Sequence, residues 1–447
     1  MTVTYHGDYP ADYPQRGHAH GARNINARDG EIHPEDIAVG VVIGRASEYF
    51  DFFVYAIASV LVFPQVFFPF ESRLDGTLYS FVIFAFAFIA RPIGSVLFME
   101  LQRRFGRETK LTVALFLMGI STAGIAFLPE YAHLGAASIV ILSLLRVGQG
   151  LAQGGASDGL PSLLALSAPK HKRGWYAMLG QLGAPVGFII AAGLFSYLLA
   201  QLSTLDFLDW GWRYPFYVAF AINVVALFAR LRLVSTTEYS RLLDDHQLDP
   251  VNVVELAQSQ GRNVLIGALA ALASYALFHL VTVFPLSWIN IYSTRSISDF
   301  LELQMLGAAL AAASIVASGF LADRVGRRTT LGTTAALIAV FSGFVPMLMD
   351  GGDMGQNVFL LVGFVLLGLS YGQAAGAVTA NFEPHFRYTG ATLTSDLAWL
   401  VGAAFAPLVA LGLSANFGLA YVSLYLLSGA AGSLAALSLN RALEIKD

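Results

Sequence analysis

Gly44-Arg45-Ala46-Ser47-Glu48-Tyr49-Phe50-Asp51-Phe52-Phe53-Val54-Tyr55 sets three charged residues inside an apolar run that extends from Ile37 to Phe63. A helix needs about 20 residues, at about 1.5 Å each, to cross a bilayer, and this run is long enough. At helical spacing Gly44, Glu48, Asp51 and Tyr55 share one face, and Arg45 stands three residues before Glu48, within pairing reach. Charges at membrane depth are costly and turn toward a bundle interior or a watery cavity. The plain alternative is a structural ion pair joining two helices. Intramembrane charge is functional by default, so the stretch reads as a solute or proton site.

The rest of the chain agrees with a membrane setting. Hydrophobic residues make up 56% and charged residues 13%, with a mean hydropathy of +0.63, whereas soluble domains carry about 25% charged residues. The absence of cysteine excludes disulfides and thiol chemistry. A net charge of −4 argues against a nucleic-acid partner. Residues 1–36 read as a solvated cytoplasmic tail rather than a cleavable leader. Its four histidines (His6, His18, His20, His33) are too loosely spaced to define a metal geometry, so no metal or cofactor is expected.

Apolar segments recur near 37–63, 77–99, 111–128, 135–160, 174–200, 215–233, 263–291, 301–322, 329–349, 357–380, 388–413 and 417–440, each long enough to span. The fold class is therefore an all-α membrane protein of twelve transmembrane helices. Its N-terminal six-helix half is 37–233, its cytoplasmic central loop 234–262, its C-terminal half 263–440 and its short cytoplasmic tail 441–447. With both termini inside, twenty of the 26 Lys and Arg fall on the inner side and three outside (Arg73, Arg213, Arg295). That bias fixes the orientation. Arg45, Arg91 and Arg146 are intramembrane.

Each half carries a basic, glycine-containing loop between its second and third spans: Arg103-Arg104-Phe105-Gly106-Arg107 and Asp323-Arg324-Val325-Gly326-Arg327-Arg328. Matching signals at matching places indicate an internal repeat, as in transporters built from two related bundles around a midplane site. Gly319-Phe320-Leu321-Ala322-Asp323-Arg324-Val325-Gly326-Arg327-Arg328 is similar to the cytoplasmic loop motif of the major facilitator superfamily. Within it the chain resembles the bacterial metabolite:proton symporter branch, through Glu48-Tyr49-Phe50-Asp51-Phe52, Arg91-Pro92-Ile93-Gly94, Gln149-Gly150 with Gly154-Gly155, Gly211-Trp212-Arg213 with Pro215-Phe216, and Arg387-Tyr388-Thr389-Gly390 followed by Gly402 and Pro407. The chain departs from the pattern at Arg103, where the loop carries Asp, and at Met99, where it carries Gly. Further departures are Arg45 for an Asn, Ala156 for a Glu (with Asp158 two residues on), and Ser395-Asp396 for Tyr-Asn.

The resemblance implies import of a small organic acid or zwitterion by proton symport, with alternating access around a central cavity in a bacterial inner membrane. It implies a monomer with lipid, protons and an anionic or zwitterionic metabolite as partners. Arg91 matches the span-2 arginine that the branch associates with substrate, and arginine offers a permanent bidentate fork to carboxylate. Arg45, Tyr55, Arg146 and Asp396 complete the expected substrate set. Two carboxyls one turn apart resist joint ionisation, which suits one of them to carry a proton. Asp51 is the expected carrier, with Glu48 held by Arg45. Arg103, Asp323, Arg324, Arg327 and Glu383 are the expected gating residues, Arg103 being attracted to an acid such as Glu383. His279 reads as a hydrogen-bonded packing residue, and Phe81, Phe84, Phe86 and Phe88 as packing or lipid-facing rings. Trp288 and Trp399 are candidate cavity walls.

Rival classes fit less well. An enzyme would need a metal or nucleophile constellation, and neither HExxH nor a Ser/His/Asp grouping is present. A solute sensor of this fold would carry a signalling domain, and only seven residues follow Asn440. Facilitated uniport or exchange, and proton-coupled export, are the alternatives within the fold.

Overall fold

The computed structural model describes residues 34–156, 169–234, 250–379 and 382–439. The histidine-bearing tail up to His33, Asp158, most of the central loop (235–249) and the tail 441–447 lie outside the described residues.

Among the described residues the regular structure is helical, without strands. Twelve membrane helices carry it: α1 (Pro34–Leu61), α2 (Arg73–Phe105), α3 (Arg107–Phe127), α4 (Ala136–Ala156), α5 (Arg173–Gln201), α6 (Tyr214–Val234), α7 (Val253–Tyr292), α8 (Ile297–Val325), α9 (Arg327–Ser342), α10 (Gly352–Ala377), α11 (Arg387–Phe417) and α12 (Leu419–Leu439). Nine of these are long and apolar enough on their own to cross a membrane. The others are α1, α6 and α9. Arg45, Glu48 and Asp51 dilute the apolar run of α1. The 16 residues of α9 stop at Gly343, and the path resumes as Val345–Met349.

Several spans are interrupted. α7 consists of Val253–Ala270, Leu272–Thr282 and Phe284–Tyr292, and α11 of Arg387–Gly402 and Ala406–Phe417. Pro285 and Pro407 sit in the first turn of the segment after the break, where a missing N–H costs nothing. The start of α7 is polar on one side. Asn252 caps it by accepting from the Val254 nitrogen, and Leu256 is buried against Phe382 and Phe386.

The two halves repeat one packing scheme. In the first, α1 packs on α5 and α6, and α2 on α4; in the second, α7 packs on α11 and α12, and α8 on α10. Between halves α2 meets α11 and α5 meets α8, the exchange expected of a pseudo-twofold axis. Gly106 and Gly326 close α2 and α8 at equivalent positions, with φ of 85° and 86°. That conformation favours glycine over any residue with a Cβ.

Candidate functional site

A cavity with about 380 Å³ of empty space lies between the halves, lined by Arg45, Glu48, Tyr49, Phe52, Phe88, Arg91, Gln153 and Trp399. Four helices supply these residues: α1, α2 and α4 from the first half and α11 from the second. α2 and α4 touch backbone to backbone. A Cβ at Gly94 would strike the Leu151 backbone, one at Gly150 the backbone of Ala87, and one at Gly154 that of Arg91 and Ser95. This close crossing, of the kind small residues allow between membrane helices, brings Arg91 and Gln153 onto one wall.

The charges of the cavity are paired. Arg45 Nη1 donates to Glu48 Oε2 at 2.6 Å, the i, i+3 pair expected from the spacing, and Arg45 Nη2 donates to Tyr49 Oη at 3.1 Å. Tyr49 and Tyr371 of α10 share a hydrogen bond across the halves. Arg91 Nε donates to Asp396 Oδ1 at 2.7 Å, and Ser95 Oγ to Asp396 Oδ2 at 2.5 Å. The Arg91 guanidinium stands 6.0 Å from the Trp399 ring centre. Arg91 and Asp396 thus form an ion pair between α2 and α11, with Asp396 fully buried.

A second polar cluster is enclosed within the first half. Thr122 Oγ1 on α3 donates to Asp51 Oδ1 at 2.7 Å, and Gln149 Nε2 on α4 reaches Asp51 Oδ2 at 3.4 Å and Thr122 Oγ1 at 2.9 Å. Arg146 Nη1 donates to Gln149 Oε1 at 2.9 Å, and Arg146 Nε to the Phe84 carbonyl at 3.3 Å. Gln149 therefore stands between Asp51 and Arg146. The Arg146 guanidinium lies 3.9 Å from the Tyr55 ring centre. Asp51, Arg146, Gln149, Thr122 and Tyr55 are all buried.

Glu48 and Asp51 consequently face different places. Three residues of helix turn about 300°, so their side chains diverge by about 60°. Glu48 lines the cavity, and Asp51 points toward α3 and α4. Of the expected substrate residues, Arg45 and Arg91 line the cavity and Asp396 meets it through Arg91. Tyr55 and Arg146 belong to the enclosed cluster. Trp399 is a cavity wall, while Trp288 packs against Phe284 and Tyr292 away from it.

His279 differs from expectation. It is buried among Phe52, Phe84, Phe88, Phe278 and Trp399, and neither ring nitrogen has a hydrogen-bond partner among the described residues. Packing against these rings, rather than a side-chain hydrogen bond, holds it. Phe84 and Phe88 are packed in the core as expected, and in addition one flanks Arg146 at 4.9 Å and the other lines the cavity.

Both ends of the interface carry hydrogen bonds between halves. On the outer side Arg73 Nη1 donates to the Asn290 carbonyl at 2.9 Å, and Ser196 and Ser298 hydroxyls meet at 2.8 Å. On the cytoplasmic side Asp323 accepts from the Gly174 nitrogen at 2.6 Å and the Trp175 nitrogen at 3.1 Å. Arg327 Nη2 donates across the halves to the Arg173 carbonyl at 3.4 Å, and its Nη1 to the Gly376 carbonyl within the second half at 3.1 Å. Lys110 Nζ donates across the halves to Tyr388 Oη at 2.9 Å, and to Gln102 Oε1 of its own half at 3.3 Å. Arg324 is exposed. Arg103 pairs with Glu100 on its own helix, and Glu383 is an exposed residue before α11 without an ion pair to Arg103 among the described residues.

Comparison with known proteins places this geometry. The family model described as Major Facilitator Superfamily matches residues 41–395. The inner membrane metabolite transport protein YhjE of Escherichia coli (strain K12) is 36% identical over 409 residues, 90% of this chain and 93% of that one. The shikimate transporter of the same organism is 32% identical over 88% of this chain and 91% of its own length. A crystal structure of a D-xylose-proton symporter superposes with a TM-score of 0.67 at 19% identity, covering 91% and 98% of the two chains, a likeness of fold.

Proposed function

Since this chain belongs to the Major Facilitator Superfamily of membrane transporters, we propose that it imports a small metabolite, an organic acid or zwitterion, across a bacterial inner membrane by proton symport. The observation that carries this reading is the cavity between the halves, with permanent cations, carboxylates and aromatic faces on its walls and hydrogen bonds between halves at both ends. Such contacts must break alternately for a solute to enter from one side and leave at the other.

The proton is assigned to Asp51. Burial away from water disfavours a charged carboxyl, while Thr122 and Gln149 favour it by donating hydrogen bonds. A group balanced in this way can hold or release a proton as its neighbours move. Gln149 shares α4 with Gln153 of the cavity wall, and α4 is locked to α2 at Gly150 and Gly154, beside Arg91. A solute that shifts Arg91 thereby reaches the hydrogen-bond donors of Asp51, and by linkage the proton acts back on solute affinity to the same degree.

Proteoliposomes holding the Asp51→Asn variant test the assignment. Solute counterflow is expected to persist while accumulation driven by an inward proton gradient falls to background. Proton-driven accumulation at the wild-type level in Asp51→Asn removes Asp51 as the carrier, and a wild-type protein indifferent to the gradient makes the molecule a uniporter.

A further inference from the structure

Resting on the transporter reading, we infer that the cavity selects zwitterions, solutes joining a carboxylate to a quaternary or protonated amine, and that Asp396 sets this choice. Each cation at the cavity already has its anion: Arg45 pairs with Glu48 at 2.6 Å and Arg91 with Asp396 at 2.7 Å. The four charges cancel, so the cavity presents two poles and no net positive field. A free anion taking Arg91 would displace Asp396. That carboxylate, fully buried and otherwise held by Ser95, would lose its countercharge, and an unpaired buried charge is strongly unfavourable.

A zwitterion avoids that penalty. Its carboxylate takes the Arg91 guanidinium, its cation takes the Asp396 carboxylate, and both protein charges stay neutralised as the solute enters between α2 and α11. Tyr49, Phe52, Phe88 and Trp399 line the same cavity, and aromatic faces attract the apolar rim of an ammonium group. A dicarboxylate would instead bring two negative charges to walls that sum to zero.

The test uses the purified full chain and four probes given singly: glycine betaine, proline, shikimate and succinate. Thermal stabilisation measures binding, and proteoliposome uptake measures transport. The wild type is expected to respond to at least one zwitterion at concentrations tenfold or more below those needed for either acid. Asp396→Asn leaves Arg91 uncompensated. It should lose zwitterion binding tenfold or more and gain shikimate binding, whereas Asp396→Glu should keep the wild-type order. A wild type that prefers shikimate or succinate overturns the inference, and if that uptake is proton-driven the transporter reading stands without it. An Asp396→Asn protein that keeps the wild-type order removes Asp396 as the determinant. Response to none of the four probes by the wild type counts against both the inference and the transporter reading.

Discussion

At the second-half basic loop, Asp323 reaches across to the other half and accepts from the first-turn nitrogens of Gly174 and Trp175. At the equivalent place in the first half stands Arg103, which turns back to Glu100 on its own helix. The crossing contact there comes instead from Lys110, seven residues on, whose ammonium is buried against Tyr388 of the other half and Gln102 of its own half. One joint is thus an anion on amide hydrogens at a helix start, a charge–dipole contact. The other is a buried cation on a phenol. Repeated architecture does not require repeated chemistry, so the two cytoplasmic joints need not open with equal ease.

The chain's lack of cysteine makes that contrast measurable, because a single cysteine placed near either joint reports cytoplasmic access by alkylation without background. The largest effect is expected from Asp323→Ala. Hydrogen bonds to a charged group contribute about 1.5–3 kcal/mol each, so losing two, partly exposed, should weaken the closed state by about 2 kcal/mol, or roughly 30-fold. Unchanged alkylation would mean that this joint does not hold the halves together.

A smaller shift is expected from Lys110→Met. The hydrogen bonds to Tyr388 and Gln102 go, but so does the cost of burying an ammonium, leaving a net loss of about 1 kcal/mol. Tyr388→Phe should behave alike, and the double variant should add little to either single change, as expected of residues in one contact. Full additivity would show that Lys110 and Tyr388 act separately. Arg103→Ala should give the smallest effect, alkylation and uptake matching wild type, because the pair with Glu100 is exposed and lies within one half. An Arg103→Ala effect equal to that of Asp323→Ala would erase the distinction between the loops.

The features legible in the sequence were local ones. Span positions follow from apolar runs, and the Arg45–Glu48 pair follows from spacing along one helix. Even the early start of α7 had a local signal, Asn252 three residues before Glu255, the spacing of a capping box; the polar composition of that turn outweighed it. Arg91 and Asp396 are 305 residues apart, and no pattern along one chain pairs them. The same holds for Thr122 and Gln149 around Asp51, which are ordinary polar residues until three helices converge. The partners of Phe84, Phe88 and His279 were hidden for a related reason. An aromatic residue in an apolar run looks the same whether it faces lipid, a guanidinium or a cavity.

The crossing of α2 and α4 has a mechanical consequence. With Gly94, Gly150 and Gly154 each admitting no side chain, the two helices are welded and cannot slide past one another. Arg91 and Gln149 ride on that single rigid girder, one at each of the polar sites. A lone methyl group added at Gly150 or Gly154 would pry the girder apart and be felt at both sites together, so damage there would copy the loss of either function while touching neither set of charges.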